Sequence, residues 1–381
     1  MSRISSHVLT AVTDWVVRLT TTTPYEWVRI DASAYLERHG RLHLLRKLLG
    51  RWLPLAVSGQ LFLQRRTIGQ NTRVLWVHRG KPNFGDTLLE LAGRTFLRGW
   101  RGRLDLLTLP HLAPLFRRDD VFSQVLTDAR QIKASYDVIL FTEINHQSIR
   151  DKLTHWPTRP WTSLFGYFWG PDRNQALFSS AAVNDRFALD VSPERLLRET
   201  RPSIVIEPLE SKGEGFAPIL AIAVGGIDPK RSYLHWSQVL LGLDRWLSAD
   251  VSLAEPLVVR LLGSENGIET AHELQQQTFK TLSIQSSVAQ LDLCGTARLI
   301  AGVDLFVGCD GGLLHVAHGL DRPTVALFAD EDPQLRLTEA CDAHAIRAGG
   351  PVSQIPPTDV MEAIAHRLQA FRSPAPQRDV V

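Results

Sequence analysis

Three short stretches of this 381-residue chain hold side chains suited to a phosphorylated or hydroxylated substrate. The strongest runs Gly308-Cys309-Asp310-Gly311-Gly312-Leu313-Leu314-His315, directly after the apolar run 305–307. Adjacent glycines between a buried strand and a helix expose backbone N–H groups at the helix's positive end, which is a ready seat for a diphosphate. Asp310 and His315 flank that seat, and Leu313 begins the helix. The second stretch, Gly225-Gly226-Ile227-Asp228-Pro229-Lys230-Arg231, pairs glycines that admit a ligand close to the backbone with two cations. It reads as a pyrophosphate clamp, although ordinary turns share its composition. The third, His78-Arg79-Gly80-Lys81-Pro82-Asn83-Phe84-Gly85-Asp86, ends at a carboxylate at a helix N-cap position. Asp86 there either caps the helix or serves as a general base.

Placing these loops requires strands that end at them. Runs at 73–78, 104–109 and 138–142 read as buried strands, the first followed by a helix from about Thr87. A second series follows at 219–224, 257–262, 305–307 and 324–328. Short aliphatic runs alternating with helices predict parallel sheets covered on both faces, hence α/β units. Two series in tandem predict two Rossmann-like domains facing one another across a cleft, with ligands beyond the carboxyl ends of the strands. The boundaries expected are 1–70 for a basic helical N-terminal region, 71–200 for the first domain and 201–381 for the second. Residues 145–217, rich in Pro, Trp and Arg with weak periodicity, read as the end of the first domain and a connection.

Composition excludes several classes. Lys and Arg total 42 against 40 Asp and Glu, so the net charge of +2 does not favour a whole-protein polyanion sink, and no nucleic acid is expected. Three cysteines without CxxC spacing make neither a disulfide framework nor an all-Cys zinc site, and thirteen histidines show no HExxH spacing. Asp330-Glu331-Asp332 has the look of a metal-binding Asp-x-Asp but falls in a polar turn, so no metal is expected. Cys309 reads as a small packing residue. The longest apolar stretch is too short for a span, and Asp14 interrupts 8–17 and Arg18 ends it as in no signal peptide, so a cytoplasmic protein is expected. Charge is uneven, however. Between positions 38 and 66 lie seven Arg/Lys and no acid, interleaved with Leu42, Leu45, Leu49 and Trp52 at helical spacing. That segment either packs on the body or lies on the anionic inner leaflet of the plasma membrane as a peripheral contact.

Taken together, residues 73–333 resemble the family 9 glycosyltransferases, the ADP-heptose:lipopolysaccharide heptosyltransferases and their relatives of GT-B fold. The resemblance rests on Gly85-Asp86 after the first strand, and on Gly225-Gly226 with Lys230 and Trp236. It rests further on the strand end 261–265 with Glu265, and on Asp310-Gly311-Gly312-Leu313-Leu314-His315 with 323–328 downstream. Gly311 replaces the signature's hydroxyl residue, Ala329 replaces a Gly, and Lys81-Pro82-Asn83 lengthens the first loop. The resemblance implies an inverting, metal-independent transferase without cofactor, moving a heptose or similar sugar from a nucleoside diphosphate, as in ADP-heptose. The acceptor would be lipopolysaccharide-type, saccharide or lipid-linked. It implies Asp86 as general base and Gly225, Gly226, Lys230, Arg231, Glu265, Asp310, Gly311, Gly312, Leu313 and His315 on the donor. Glu265 would bind the ribose hydroxyls. Lys81, Asn83, Glu143 and His146 are candidates for the acceptor side. Asn83-Phe84-Gly85-Asp86 also resembles the start of the polysaccharide pyruvyl transferases, an alternative the 310–315 signature disfavours. A non-catalytic binding or scaffold protein of the same fold is the other alternative.

Overall fold

A computed structural model of the chain describes Ala11 and residues 40–80, 82–132, 135–166, 173–209, 218–249 and 255–372. Its backbone divides into two compact units. One comprises Met1–Val205 with Gln334–Ala340, and the other Ile206–Pro333 with Cys341–Val381. The expected α/β architecture of two parallel sheets is what the structure has.

In the first unit the sheet runs β3-β2-β1-β4-β5, with β1 (Arg73–His78) at the centre. β2 (Arg103–Thr108) and β3 (Gln124–Leu126) lie to one side, β4 (Val138–Phe141) and β5 (Trp161–Ser163) to the other, all pairs parallel. The helices are α1 (Arg41–Val57), α2 (Phe84–Glu90), α3 (His146–His155), α4 (Gln175–Phe187) and α5 (Pro193–Glu199). Every residue of β1 after Arg73 is buried, as a parallel strand covered on both faces must be. Its Leu75 and Val77 share a core with Ile139, Phe141 and Trp161.

Within the span 145–217, the part up to Val205 belongs to the first unit and carries α3, α4 and α5 despite its weak periodicity. One expectation changes here. The stripe Leu42, Leu45, Leu49 and Trp52 lies along one side of α1, but it is not the face that the core takes. Leu48 and Leu55 enter the sheet's core, with Leu45 and Trp52 partly buried beside them, whereas Leu42 and Leu49 are exposed. Leucine stands at nearly every turn of this helix, so spacing alone selects the wrong stripe. Positions 1–39 of the basic region lie outside the described residues, save Ala11.

In the second unit the order is β11-β10-β9-β6-β7-β8, again parallel throughout. The strands are β6 (Ile219–Ala223), β7 (Leu257–Leu262), β8 (Leu282–Ser286), β9 (Leu305–Cys309), β10 (Thr324–Phe328) and β11 (Ala343–Arg347). The helices are α6 (Trp236–Ser248), α7 (Ile268–Gln276), α8 (Leu293–Ala301), α9 (Gly312–Gly319) and α10 (Pro357–Arg372). Leu220, Ile222, Val259, Val307 and Val325 from the sheet pack with Val239, Leu243 and Ile364 from α6 and α10.

Strand order reverses once in each sheet, between β1 and β4 and between β6 and β9. At such a reversal the connections leave in opposite directions, and a crevice opens beyond the carboxyl ends of the two strands. The candidate loops stand at these positions: Arg79, Gly80, 82–86 and Glu143 in the first unit, Gly225–Arg231 and Asp310–Gly312 in the second.

Candidate functional site

The second unit's constellation begins with three glycines that let two loops nearly touch. Gly225 has φ 80°, and a Cβ there would stand 2.8 Å from the backbone of Gly267. A Cβ on Gly263 or Gly267 would stand 2.3 or 2.6 Å from the Val224 carbonyl oxygen. The loops after β6 and β7 can therefore be this close only as glycine. Behind them the Ser232 hydroxyl donates to the Gly226 carbonyl at 3.2 Å, closing the turn that carries Lys230 and Arg231. Asp228 accepts from the Lys230 backbone N–H at 3.0 Å. The Lys230 side chain is exposed, as is Glu265 in the turn Glu265–Gly267.

Arg231 is tied down by two carboxylates. Its guanidinium lies 3.3 Å from Asp310 Oδ2 and 2.9 Å from Glu331 Oε1. The Asp310 side chain is only 4% exposed, so this charge would be costly without a cation beside it. His315 Nε2 stands 3.8 Å from the other Asp310 oxygen, and His315 is buried within α9 rather than at its surface. Asp310, Arg231 and His315 thus meet at the ends of β6 and β9. Glu331, in the stretch with the look of a metal motif, is an arginine partner that sequence reading missed. Nothing local signals it, because a hundred positions separate the two residues.

Helix α9 opens at Gly312, with Gly311 as its cap residue and no side chain bonded to the first turn. Gly311 has φ 175°, ordinary extended backbone, and the nearest atom to an added Cβ is the Cys309 carbonyl oxygen at 3.7 Å. The glycine is thus not required by backbone or by space. Burial pushes the Cys309 thiol up to about 12, which suits packing and not nucleophilic attack.

In the first unit α2 starts at Phe84, with Asn83 at the N-cap position. The helix thus begins three residues before Thr87, so Asp86 sits inside its first turn and is not the capping residue. There its charge is favoured by the helix dipole. A buried relay lies beneath this turn. The Trp76 indole donates to Thr142 Oγ1 at 2.9 Å, His78 bridges Thr142 at 3.1 Å and Thr87 at 3.0 Å, and Thr87 donates to the Asn83 carbonyl at 2.9 Å. Asn83 itself is exposed. Glu143, half-buried just past β4, accepts from Asn145 Nδ2 at 2.7 Å, while Asn145 and Ser148 close a capping box on α3. His146 is exposed at the first position of α3. Val77, His78, Arg79, Glu90, Thr142, Glu143 and Asp151 line a small cavity at the β1–β4 reversal. Lys81 lies outside the described residues. Among the described residues no group of three or more His, Cys, Asp or Glu could hold a metal ion.

Residues 251–349 match the model of glycosyltransferase family 9 (heptosyltransferase). No curated protein matches the chain. Among solved structures, the glycosyl transferase family 9 from Veillonella parvula DSM 2008 is 13% identical with a TM-score of 0.62, over 80% of this chain and 99% of that one. The E. coli ADP-heptose lps heptosyltransferase II is 18% identical with a TM-score of 0.59, over 79% and 100%. E. coli heptosyltransferase WaaC with ADP-2-deoxy-2-fluoro heptose is 16% identical with a TM-score of 0.55, over 77% and 99%. The matched family segment holds Glu265, Asp310–Gly312 and His315, and the shared fold extends over both units.

Proposed function

We propose that this heptosyltransferase-like glycosyltransferase moves a heptose or similar sugar from a nucleoside diphosphate, ADP-heptose being the donor its similarities favour, to a lipopolysaccharide-type or other saccharide acceptor, with inversion and without a metal. The observation that carries this reading is the junction at the β6–β9 reversal, where a glycine turn opens α9 beside Arg231, Asp310 and His315.

Leaving of a diphosphate concentrates negative charge on its oxygens. The N–H groups of Gly311 and Gly312 at the start of α9, with Lys230, would offset that charge in place of a metal ion. Arg231 is already matched by Asp310 and Glu331, so its part is to fix the turn that presents Lys230. Glu265 would accept from ribose hydroxyls, and Asp310 and His315 would orient the sugar next to the diphosphate. On the acceptor side, Asp86 would take the hydroxyl proton as the oxygen attacks the anomeric carbon, with Glu143, His146, Asn83 and Lys81 near the acceptor. Work on a lipid-linked acceptor at the cytoplasmic side of the inner membrane, with the basic segment 38–66 toward the lipid, belongs to the same reading.

The test is a pair of measurements. Thermal stabilisation by ADP, compared with UDP, GDP and phosphoenolpyruvate, reports the donor base and separates sugar transfer from pyruvyl transfer. Asp86→Asn should keep that ADP response while losing about 100- to 10,000-fold in transfer rate, the usual worth of a general base. Full activity in Asp86→Asn would remove it as the base.

A further inference from the structure

Helix α1 has two apolar faces, and the core of the first unit takes only one. Leu48 and Leu55 are buried against the sheet. Leu42, Leu49, Leu53 and Val57 recur at intervals of seven, four and four residues, within about 80° of one another at 3.6 residues per turn. These four are 65%, 45%, 54% and 78% exposed. Arg46, also exposed, falls on the same stripe. Beyond the left-handed Gly59, the turn Gln60–Leu63 presents Phe62, 94% exposed, and exposed Arg65 and Arg66 follow.

We infer that Leu42, Leu49, Leu53, Val57 and Phe62 form a docking face for an anionic lipid bilayer, a partner that deepens and rests on the reading of a membrane-side acceptor. The chemistry is that of an interfacial helix: apolar side chains sink to the level of the acyl chains while arginine heads stay among the lipid phosphates. Charge selects the occupant. With seven Arg/Lys and no acid from 38 to 66, the segment is complementary to an anionic surface. A second copy docked through the same stripe would set Arg46, Arg65 and Arg66 against their equals. Residues 1–39 carry four Arg and four acids, so they bring no net negative charge to the face. The opposite side of α1 ties this face to the acceptor-side strand end. There Leu48 and Leu55 share one core with Phe141, the last residue of β4, and with Ile144 just past it. A docked helix would therefore hold the end of β4 close to the lipid.

The experiment is flotation of the full chain with vesicles of phosphatidylcholine alone or mixed with phosphatidylglycerol, comparing the native protein with Leu49→Ser/Leu53→Ser/Phe62→Ser. The native chain should float with the mixed vesicles and be released by high salt, and the triple variant should partition at least about tenfold less. Its melting temperature and its mass by light scattering should match the native chain's. Equal flotation of both proteins, or no preference for phosphatidylglycerol, would overturn the inference. A lower melting temperature in the variant would show that the chain's own residues cover the stripe, and a native dimer that the variant splits would show a second copy there; either would also overturn it. Flotation needs no donor, so its failure leaves sugar transfer standing, and a chain that floats yet transfers nothing refutes only the transfer.

Discussion

His78 Nε2 lies 3.0 Å from Thr87 Oγ1, joining the last residue of β1 to the helix that bears Asp86. The hydroxyl of Thr87 gives its own hydrogen to the Asn83 carbonyl, so at this contact the ring is the donor. Thr142 accepts from the Trp76 indole, which leaves the Thr142 hydroxyl to donate to Nδ1. The Nε2–H tautomer satisfies these hydroxyl contacts, and the buried Glu90 carboxylate stands 3.6 Å from Nδ1. His78→Phe leaves two buried hydroxyls short of a partner, at about 1–3 kcal/mol. Denaturant unfolding should show that loss, and transfer should slow beyond what the residual folded fraction explains, since the turn holding Asp86 loses its anchor.

Glycines of the second unit should divide sharply by position. Gly225→Ala meets both a left-handed φ and the Gly267 backbone at 2.8 Å, so it should lose more than about 1 kcal/mol of stability. Gly311→Ser meets neither obstacle and should leave the melting temperature unchanged. Its hydroxyl restores the donor that the family signature places there, and calorimetric titration with ADP should tighten several-fold.

Removal of the guanidinium at 231 should act through Asp310. Arg231→Met leaves a nearly buried carboxylate without its cation, and unfolding should lose on the order of 1–3 kcal/mol. Glu331→Gln, whose partner contact is one-third exposed, should cost no more than about 1 kcal/mol. A double-mutant cycle measures the difference directly.

Lys152 provides a pH signature of the first unit. It is 1% exposed, caps the end of α3 through the Trp156 carbonyl at 2.6 Å, and bonds Gln60 in the turn after α1. Burial lowers its pKa from 10.5 to about 8. Between those values the unfolded chain holds a proton that the folded chain has released, so stability rises with pH across that window, at about 1.4 kcal/mol per pH unit from this group. Below pH 8 the penalty is fully present. Lys152→Met should flatten the rise, as unfolding curves from pH 7 to 10.5 would show.

Strands inside the two sheets were legible from sequence because burial on both faces makes them mainly apolar runs, even where Arg260 interrupts β7. The run 73–78 is β1 and 257–262 is β7, end to end. The edge strands were not. β3 and β5 have three residues each, and β8 and β11 alternate polar and apolar residues with only partial burial. Helix α4 escaped notice because its small residues, Ser179, Ser180, Ala181 and Ala182, are buried without forming an obvious apolar stripe. At the site, glycine turns and isolated charges could be found one loop at a time. The pairing of Arg231 with Glu331, and of His78 with Thr142, depends on which strand ends the topology makes neighbours, and no local window contains that.

The short return of Gln334–Ala340 to the first unit bears on any attempt to dissect the molecule. Asn174 at the start of α4 donates to the carbonyls of Gln334 and Leu337, at 2.9 and 2.8 Å, and the Thr338 hydroxyl donates to the carbonyl of Thr200. A fragment severed near position 205 would keep Asn174 and Thr200 but forfeit what they bind, so the gene cannot be cut once to yield two self-sufficient halves. The seven-residue excursion acts as a stitch, and separate expression of the first half would call for supplying that peptide in trans.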